Sequence, residues 1–231
     1  LNEIDKWHKG GFLKRATGLL RSSSKLNHTK NYIKDFIQLV KLTNSSAILV
    51  ANIITEDINE LYLMIDEIKE QGIDIAGIEL GSELSNRAYY LAGFNKNKYI
   101  QLSREYANKL KQKYPEIKIG VVAAPIVKGK MHRHTLWNKF LKKNDFYDAV
   151  IIHSYAKLIK GKAEDGQMIK EILEGSSKLE SFNLYRERAL AYLFDLYPEE
   201  INTYKSLFNK PLWITEWNLQ ISRITGNTLL Q

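Results

Sequence analysis

Two glutamates, Glu79 and Glu83, sit at the end of an apolar run in "AGIELGSELS" (76–85). A carboxylate in such a place is costly unless it is paired or used. Similar polar groups close other apolar runs: Asn52 after "AILVA", His153 and Tyr155 in "IIHSYA", Glu216 and Asn218 in "LWITEWN". On an extended chain, residues i and i+2 share a face. His153 therefore points the same way as Tyr155, and Glu216 the same way as Asn218. Glu79 shares its face with Gly81 and, if the strand runs on, with Glu83. Two carboxyl groups roughly 5–5.5 Å apart can break a glycosidic bond by double displacement, one as nucleophile and the other as acid and then base. Residues on different strands can meet that spacing. Glu79 and Glu83, neighbours on one strand end, are less suited to opposite sides of a sugar.

The elements that must position these groups alternate along the chain. Segment 31–42 has apolar residues at helical spacing, and 47–53 is a nearly continuous apolar run, as in a strand covered on both faces. Segment 56–72 is an amphipathic helix with acidic residues in its first turn and Gly72 as its stop. Strands are expected at 73–81, 117–125, 147–156 and 211–218. Helices are expected at 98–115, 134–143 and 184–209, the last broken near Pro198. A polar, irregular stretch fills 157–180. The alternation implies an α/β protein with parallel strands and right-handed crossovers. A doubly wound nucleotide-binding sheet is expected to carry a glycine-rich turn, and neither GxGxxG nor GxxxxGK[ST] occurs. The polar residues gather at the C-terminal ends of strands, where (β/α)8 TIM barrels place their active sites. The expectation is a single partial barrel over 1–231. About five βα units are visible, and the flanking strands are missing or truncated. Residues 1–24 and 219–231 offer no clear first, second or eighth strand.

Composition bounds the partners. The chain has 231 residues, 44% hydrophobic and 26% charged, as in ordinary globular proteins. Net charge is +8, which suits an acidic polymer or reflects a Lys-rich composition. The lysines are dispersed and no nucleic-acid recognition motif is present, so a nucleic-acid partner is not expected. The densest basic patch, "KGKMHRH" (128–134), is read as a loop tip that could rim a site. No run approaches 18 apolar residues, so no membrane span is expected. Cysteine is absent, which removes disulfides and thiolate metal sites. That absence suits a secreted or periplasmic chain and many cytosolic ones too. His132 and His134 lack a third partner for a metal. Nothing in the sequence sets an oligomeric state.

"IELGSEL" (78–84) resembles the element ending the fourth barrel strand in retaining families of glycoside hydrolase clan A. "LWITEWN" (212–218) resembles the clan's seventh strand, "IIHSY" (151–155) its sixth and "LVAN" (49–52) its third. The nearest resemblance is to the heparanase/β-glucuronidase-like family, with the arabinofuranosidase and xylosidase families beside it. It spans about 31–218. It implies Glu83 as acid/base, Glu216 as nucleophile, and Tyr155 and His153 as supports of that nucleophile. It further implies a carbohydrate substrate, β-linked and potentially acidic, and no cofactor. Asn52, Ser82 and Trp217 complete the expected substrate contacts, Trp217 by stacking on a sugar. Glu79 is expected to be a buried structural carboxylate, and Gly81 to let the backbone pass close to sugar or strand. Where the clan has Asn before the acid/base, this chain has Ser82, a shorter group with a single hydroxyl. That departure motivates the alternative of a degenerate barrel that binds glycans without cleaving them.

Overall fold

A computed structural model describes residues 32–126, 132–156, 158 and 167–219. The chain divides into two compact units, Leu1–Ile151 and Ile152–Gln231. Each is described by itself.

The first unit runs α1 (Tyr32–Thr43), β1 (Ala47–Ala51), α2 (Ile58–Glu70), β2 (Ile75–Leu80), α3 (Arg87–Leu91), α4 (Lys96–Lys113), β3 (Lys118–Val122) and α5 (His132–Lys142). It also holds the start of β4 (Ala149–Ala156). β1 pairs with β2, β2 with β3 and β3 with β4, all in parallel. The hydrogen-bonded order follows chain order, β1-β2-β3-β4. A doubly wound sheet reverses its order at a switch point. Here it never reverses, as expected of barrel-type βα units. Among the described residues there are five strands, so a closed eight-stranded barrel is not what they contain.

The local causes are visible. α2 starts where the Asp57 carboxylate accepts from Asn59 N at 2.8 Å, a cap worth about 1 kcal/mol. It stops at Gly72, whose φ of +75° suits a residue without Cβ. Its apolar stripe, Ile58, Leu61, Ile65 and Ile68, is buried. In β2 and β3 nearly every residue is buried, which explains their unbroken apolar runs. Full burial of each Ile or Val contributes roughly 1.5–3 kcal/mol. β3 and β4 are joined further by Asp148, whose side chain accepts from Ile119 N at 2.8 Å.

The second unit holds the rest of β4, α6 (Ile169–Gly175), α7 (Lys178–Ala191), a π-helical turn (Tyr192–Leu196), α8 (Tyr197–Leu207) and β5 (Leu212–Leu219). β5 is the hydrogen-bonded neighbour of β4. The expected break near Pro198 takes the form of that π turn, with Pro198 in the first turn of α8. Proline lacks an N–H and crowds the carbonyl one turn back, and a widened turn relieves both. The stretch read as irregular, 157–180, contains α6 and the start of α7. α7 opens with a capping box: Ser177 Oγ accepts from Glu180 N, and the Glu180 carboxylate accepts from Ser177 N.

Candidate functional site

In the first unit, the exits of β2 and β3 are built by side chains from two helices. Tyr99, on α4, is fully buried. Its hydroxyl donates to Leu80 O at 3.0 Å and accepts from Val122 N at 2.7 Å, so one phenol ties the last residues of both strands. Burial pushes this phenol well above its ordinary pKa, so it stays protonated. Its ring stacks on Trp137 with centroids 4.6 Å apart, and Trp137 Nε1 donates to Val122 O at 2.9 Å. Asn138 continues the strand in side-chain form. Its Oδ1 accepts from Ala124 N at 2.8 Å and its Nδ2 donates to Ala124 O at 2.9 Å. His134 then takes up Pro125 O at 3.2 Å through Nδ1, while Arg133 donates to Nε2 at 2.9 Å. These partners fix the neutral Nδ1–H tautomer. Burial first, and then the Arg133 charge, lower the His134 pKa.

Glu79 lies within β2 and is 1% exposed, so the sequence placed a buried carboxylate correctly at this level. Beyond Leu80 the chain turns. Gly81 has φ +85°, and Glu83 has φ +50°, a left-handed conformation that costs a non-glycine residue roughly 1–2 kcal/mol. A Cβ on Gly81 meets the Leu84 side chain at 2.2 Å. The glycine therefore admits Leu84, a core residue, over the backbone. The expectation that it clears space for a sugar or a strand is corrected to that extent. The Glu83 carboxylate accepts from Asn86 Nδ2 at 2.8 Å. Burial and then the Glu83 charge raise the pKa of the Tyr89 phenol. Ser82 and Glu83 are both half-buried. Asn52 serves its own turn: its Nδ2 donates to Thr55 Oγ1 at 2.7 Å and Glu56 Oε1 at 3.4 Å, and its Oδ1 accepts from Ile54 N and Thr55 N.

In the second unit, β4 and β5 bring three of the expected residues together. The Tyr155 hydroxyl donates to Glu216 Oε2, and His153 Nδ1 stands 3.6 Å from the same oxygen. The His153 side chain is 7% exposed and that of Glu216 is 45% exposed. The Tyr155 hydroxyl thus orients the carboxylate beside a buried imidazole, on a side chain that solvent can reach. Pleating turns Ser154 to the opposite face of β4. There its Oγ donates to Glu200 Oε2 at 3.1 Å and is hydrogen-bonded to the Tyr192 hydroxyl on the π turn. Trp217 follows Glu216 on β5, so its ring leaves the strand on the other face; it is half exposed. The Asn218 side chain lies outside the described residues.

The sequence did not single out Tyr99, Trp137, Asn138 or Arg133. Two signals were available: lone polar-tipped aromatics on otherwise apolar helix faces, and an Asn inside the amphipathic pattern of "HTLWNKFLKK". In the patch "KGKMHRH", His132, Arg133 and His134 begin α5 instead of forming a loop tip, and residues 128–131 lie outside the described residues.

No protein-family model matches this sequence, and no curated protein matches it either. Among solved structures, the chain is similar to AbfB, a family 51 α-L-arabinofuranosidase from Bifidobacterium longum. The identity is 17% and the TM-score 0.50; the likeness covers 81% of this chain and 38% of that one. It is also similar to N2152 from Neocallimastix frontalis, at 16% identity and TM-score 0.44, over 80% of this chain and 40% of that one. The chain therefore spans well under half the length of these structures. The first likeness shows a fold: parallel βα units shared with a glycoside hydrolase.

Proposed function

We propose that this chain is the catalytic part of a retaining glycoside hydrolase, with Glu83 as acid/base and Glu216 as nucleophile. The observation that carries the reading is the setting of Glu216. A tyrosine hydroxyl donates to one carboxylate oxygen, His153 Nδ1 stands 3.6 Å from the same oxygen, and the side chain is 45% exposed. A nucleophile for an oxocarbenium-like centre needs that combination of a fixed orientation and access from solvent. The left-handed Glu83 supports the second role. A bulky residue kept in a strained backbone at a strand exit is the kind of outlier from which function is inferred. The strand order and the fold likeness are consistent with both.

In this reading Glu83 must come to stand roughly 5–5.5 Å from Glu216 across the sugar, the spacing of double displacement. Glu83 protonates the leaving oxygen while Glu216 attacks the anomeric carbon. Glu83 then draws the proton from water as the glycosyl–enzyme bond breaks. Ser82 meets the sugar 2-hydroxyl where relatives of the resembled families use Asn. The substrate proposed is a β-linked glycan. The net charge of +8 favours encounter with an acidic one.

The test is a panel of nitrophenyl glycosides, including β-glucuronide, β-xyloside and α-L-arabinofuranoside. Glu83→Gln and Glu216→Gln should each lower kcat by at least about a thousandfold on the best substrate, the scale of losing an essential acid or nucleophile. Added azide should rescue an alanine variant at either position with opposite product anomers. Turnover unchanged in both Gln variants removes the assignment. Saturable glycan binding without turnover across the panel favours the second reading, a non-catalytic glycan-binding barrel, which the Ser82 departure motivates.

A further inference from the structure

The first unit contains a second site that the proposed chemistry does not use. A cavity of about 150 Å³ opens between the β2 exit, α4 and α5. Leu84, Phe94, Leu136 and Trp137 give it apolar walls. Lys96, His132 and Arg133 line it too, and among the described residues no Asp or Glu does. Arg133 is the unusual member. Its guanidinium lies over the Tyr90 ring at 5.6 Å, and one of its terminal nitrogens is spent on His134. Its Nε is buried and has no hydrogen-bond partner among the described residues. Burial, and then the charge of nearby Arg87, work against its positive charge. A desolvated cation without a counter-ion among the described residues costs free energy that an anion in the cavity offsets.

We infer that this cavity binds a small amphipathic anion, an aryl or alkyl carboxylate, with its apolar body against Phe94 and Trp137 and its charged head on Arg133. The walls and the rim argue for the two halves separately. An apolar pocket alone selects no charge, and exposed lysines alone select no shape. The lining aromatics Tyr90 and Phe94 and the buried Trp137 supply contact area for a flat ring, and Arg133 presents a planar fork to two carboxylate oxygens.

The probe is benzoate, titrated calorimetrically into the full chain, with benzyl alcohol (ring without charge) and acetate (charge without ring) as comparisons. Benzoate should saturate one site, and the two comparisons should bind at least about tenfold more weakly, the scale of one lost charge-assisted contact. Arg133→Gln should weaken benzoate by a similar factor, and Glu216→Gln should leave it unchanged. If Arg133→Gln does not fold, Lys96→Gln combined with His132→Gln gives the same readout from the half-buried Lys96 and the exposed His132, with a loss of at least about threefold expected. Three results overturn the inference: no saturable benzoate binding, equal affinity for benzyl alcohol, or an affinity that survives the rim substitutions. Binding lost in Glu216→Gln but kept in Arg133→Gln places benzoate in the proposed catalytic site and overturns it too. Because the readout is affinity and not turnover, the outcome is independent of whether the chain proves to be a glycosidase.

Discussion

Replacing Tyr99 by Phe tests how the strand exits are held. The phenol donates to Leu80 O and accepts from Val122 N, and all three groups are in the interior. Removing one oxygen leaves a buried carbonyl and a buried N–H without this partner. Each such group costs about 1–3 kcal/mol. Part of that is returned, because the hydroxyl itself no longer has to be desolvated. The ring stack on Trp137 survives, since Phe keeps the ring. The net expectation is a loss of about 2–4 kcal/mol. That is a large share of the 5–15 kcal/mol typical of a domain. At about 2–4 °C per kcal/mol for a chain of this size, the midpoint falls by roughly 5–15 °C. Differential scanning calorimetry with far-ultraviolet circular dichroism measures it. A change below about 0.5 kcal/mol, within the range of ordinary surface substitutions, refutes the claim that this hydroxyl joins the two strands.

Gly81→Ala should destabilise the chain by about 2–3 kcal/mol in urea unfolding, because φ is +85° and the new methyl must displace Leu84; a neutral result means that turn is not as described. Glu83→Gly and Glu83→Ala both lose the bond to Asn86 and differ only in backbone preference at φ +50°, so the Gly variant should be the more stable by about 0.5–1 kcal/mol. Equal stabilities would mean Glu83 carries no strain. The lowered pKa of His134 makes the folded state bind its proton later than the unfolded one. Its contribution is complete above the unfolded value near 6.5. It declines as pH falls toward the folded value, at no more than about 1.4 kcal/mol per pH unit. Urea midpoints measured from neutral to mildly acid pH should show that slope in the wild type and a shallower one in His134→Gln.

The sequence conveyed the strands because buried parallel strands leave a signature of uninterrupted apolar residues, and β2 and β3 are buried almost throughout. It conveyed α2 and α4 because each buries one stripe. It did not convey α3, whose five residues are too few for a period to show, nor the start of α7. α7 leaves Leu179, Phe182 and Leu190 at the surface, so apolar residues there do not mark a buried face. Its capping box, "SKLE" from Ser177 to Glu180, was the legible signal. For the candidate site, residue type and strand position pointed to Glu216, His153 and Tyr155, which the second unit gathers around one carboxylate. The same reasoning gave Asn52 a substrate contact; its amide closes a turn, and an exposed Asn after a strand reads identically in either role.

The buried polar groups of the first unit share a logic that bears on Glu83. A parallel strand ends with peptide groups that the ladder no longer pairs, and these must find partners or reach water. Here helix side chains supply the partners: Tyr99 for Leu80 and Val122, Trp137 for Val122, Asn138 for Ala124, His134 for Pro125. Loops left to solvent would fluctuate. Exits tied at successive residues to α4 and α5 cannot move without breaking several buried hydrogen bonds at once. A left-handed Glu83 just beyond Leu80 is sustainable only on such a base, because the roughly 1–2 kcal/mol stored there would otherwise relax the turn. The rigid exits therefore come first and the strained carboxylate depends on them. Loosening Tyr99 should disturb the position of Glu83 even though the two side chains do different work.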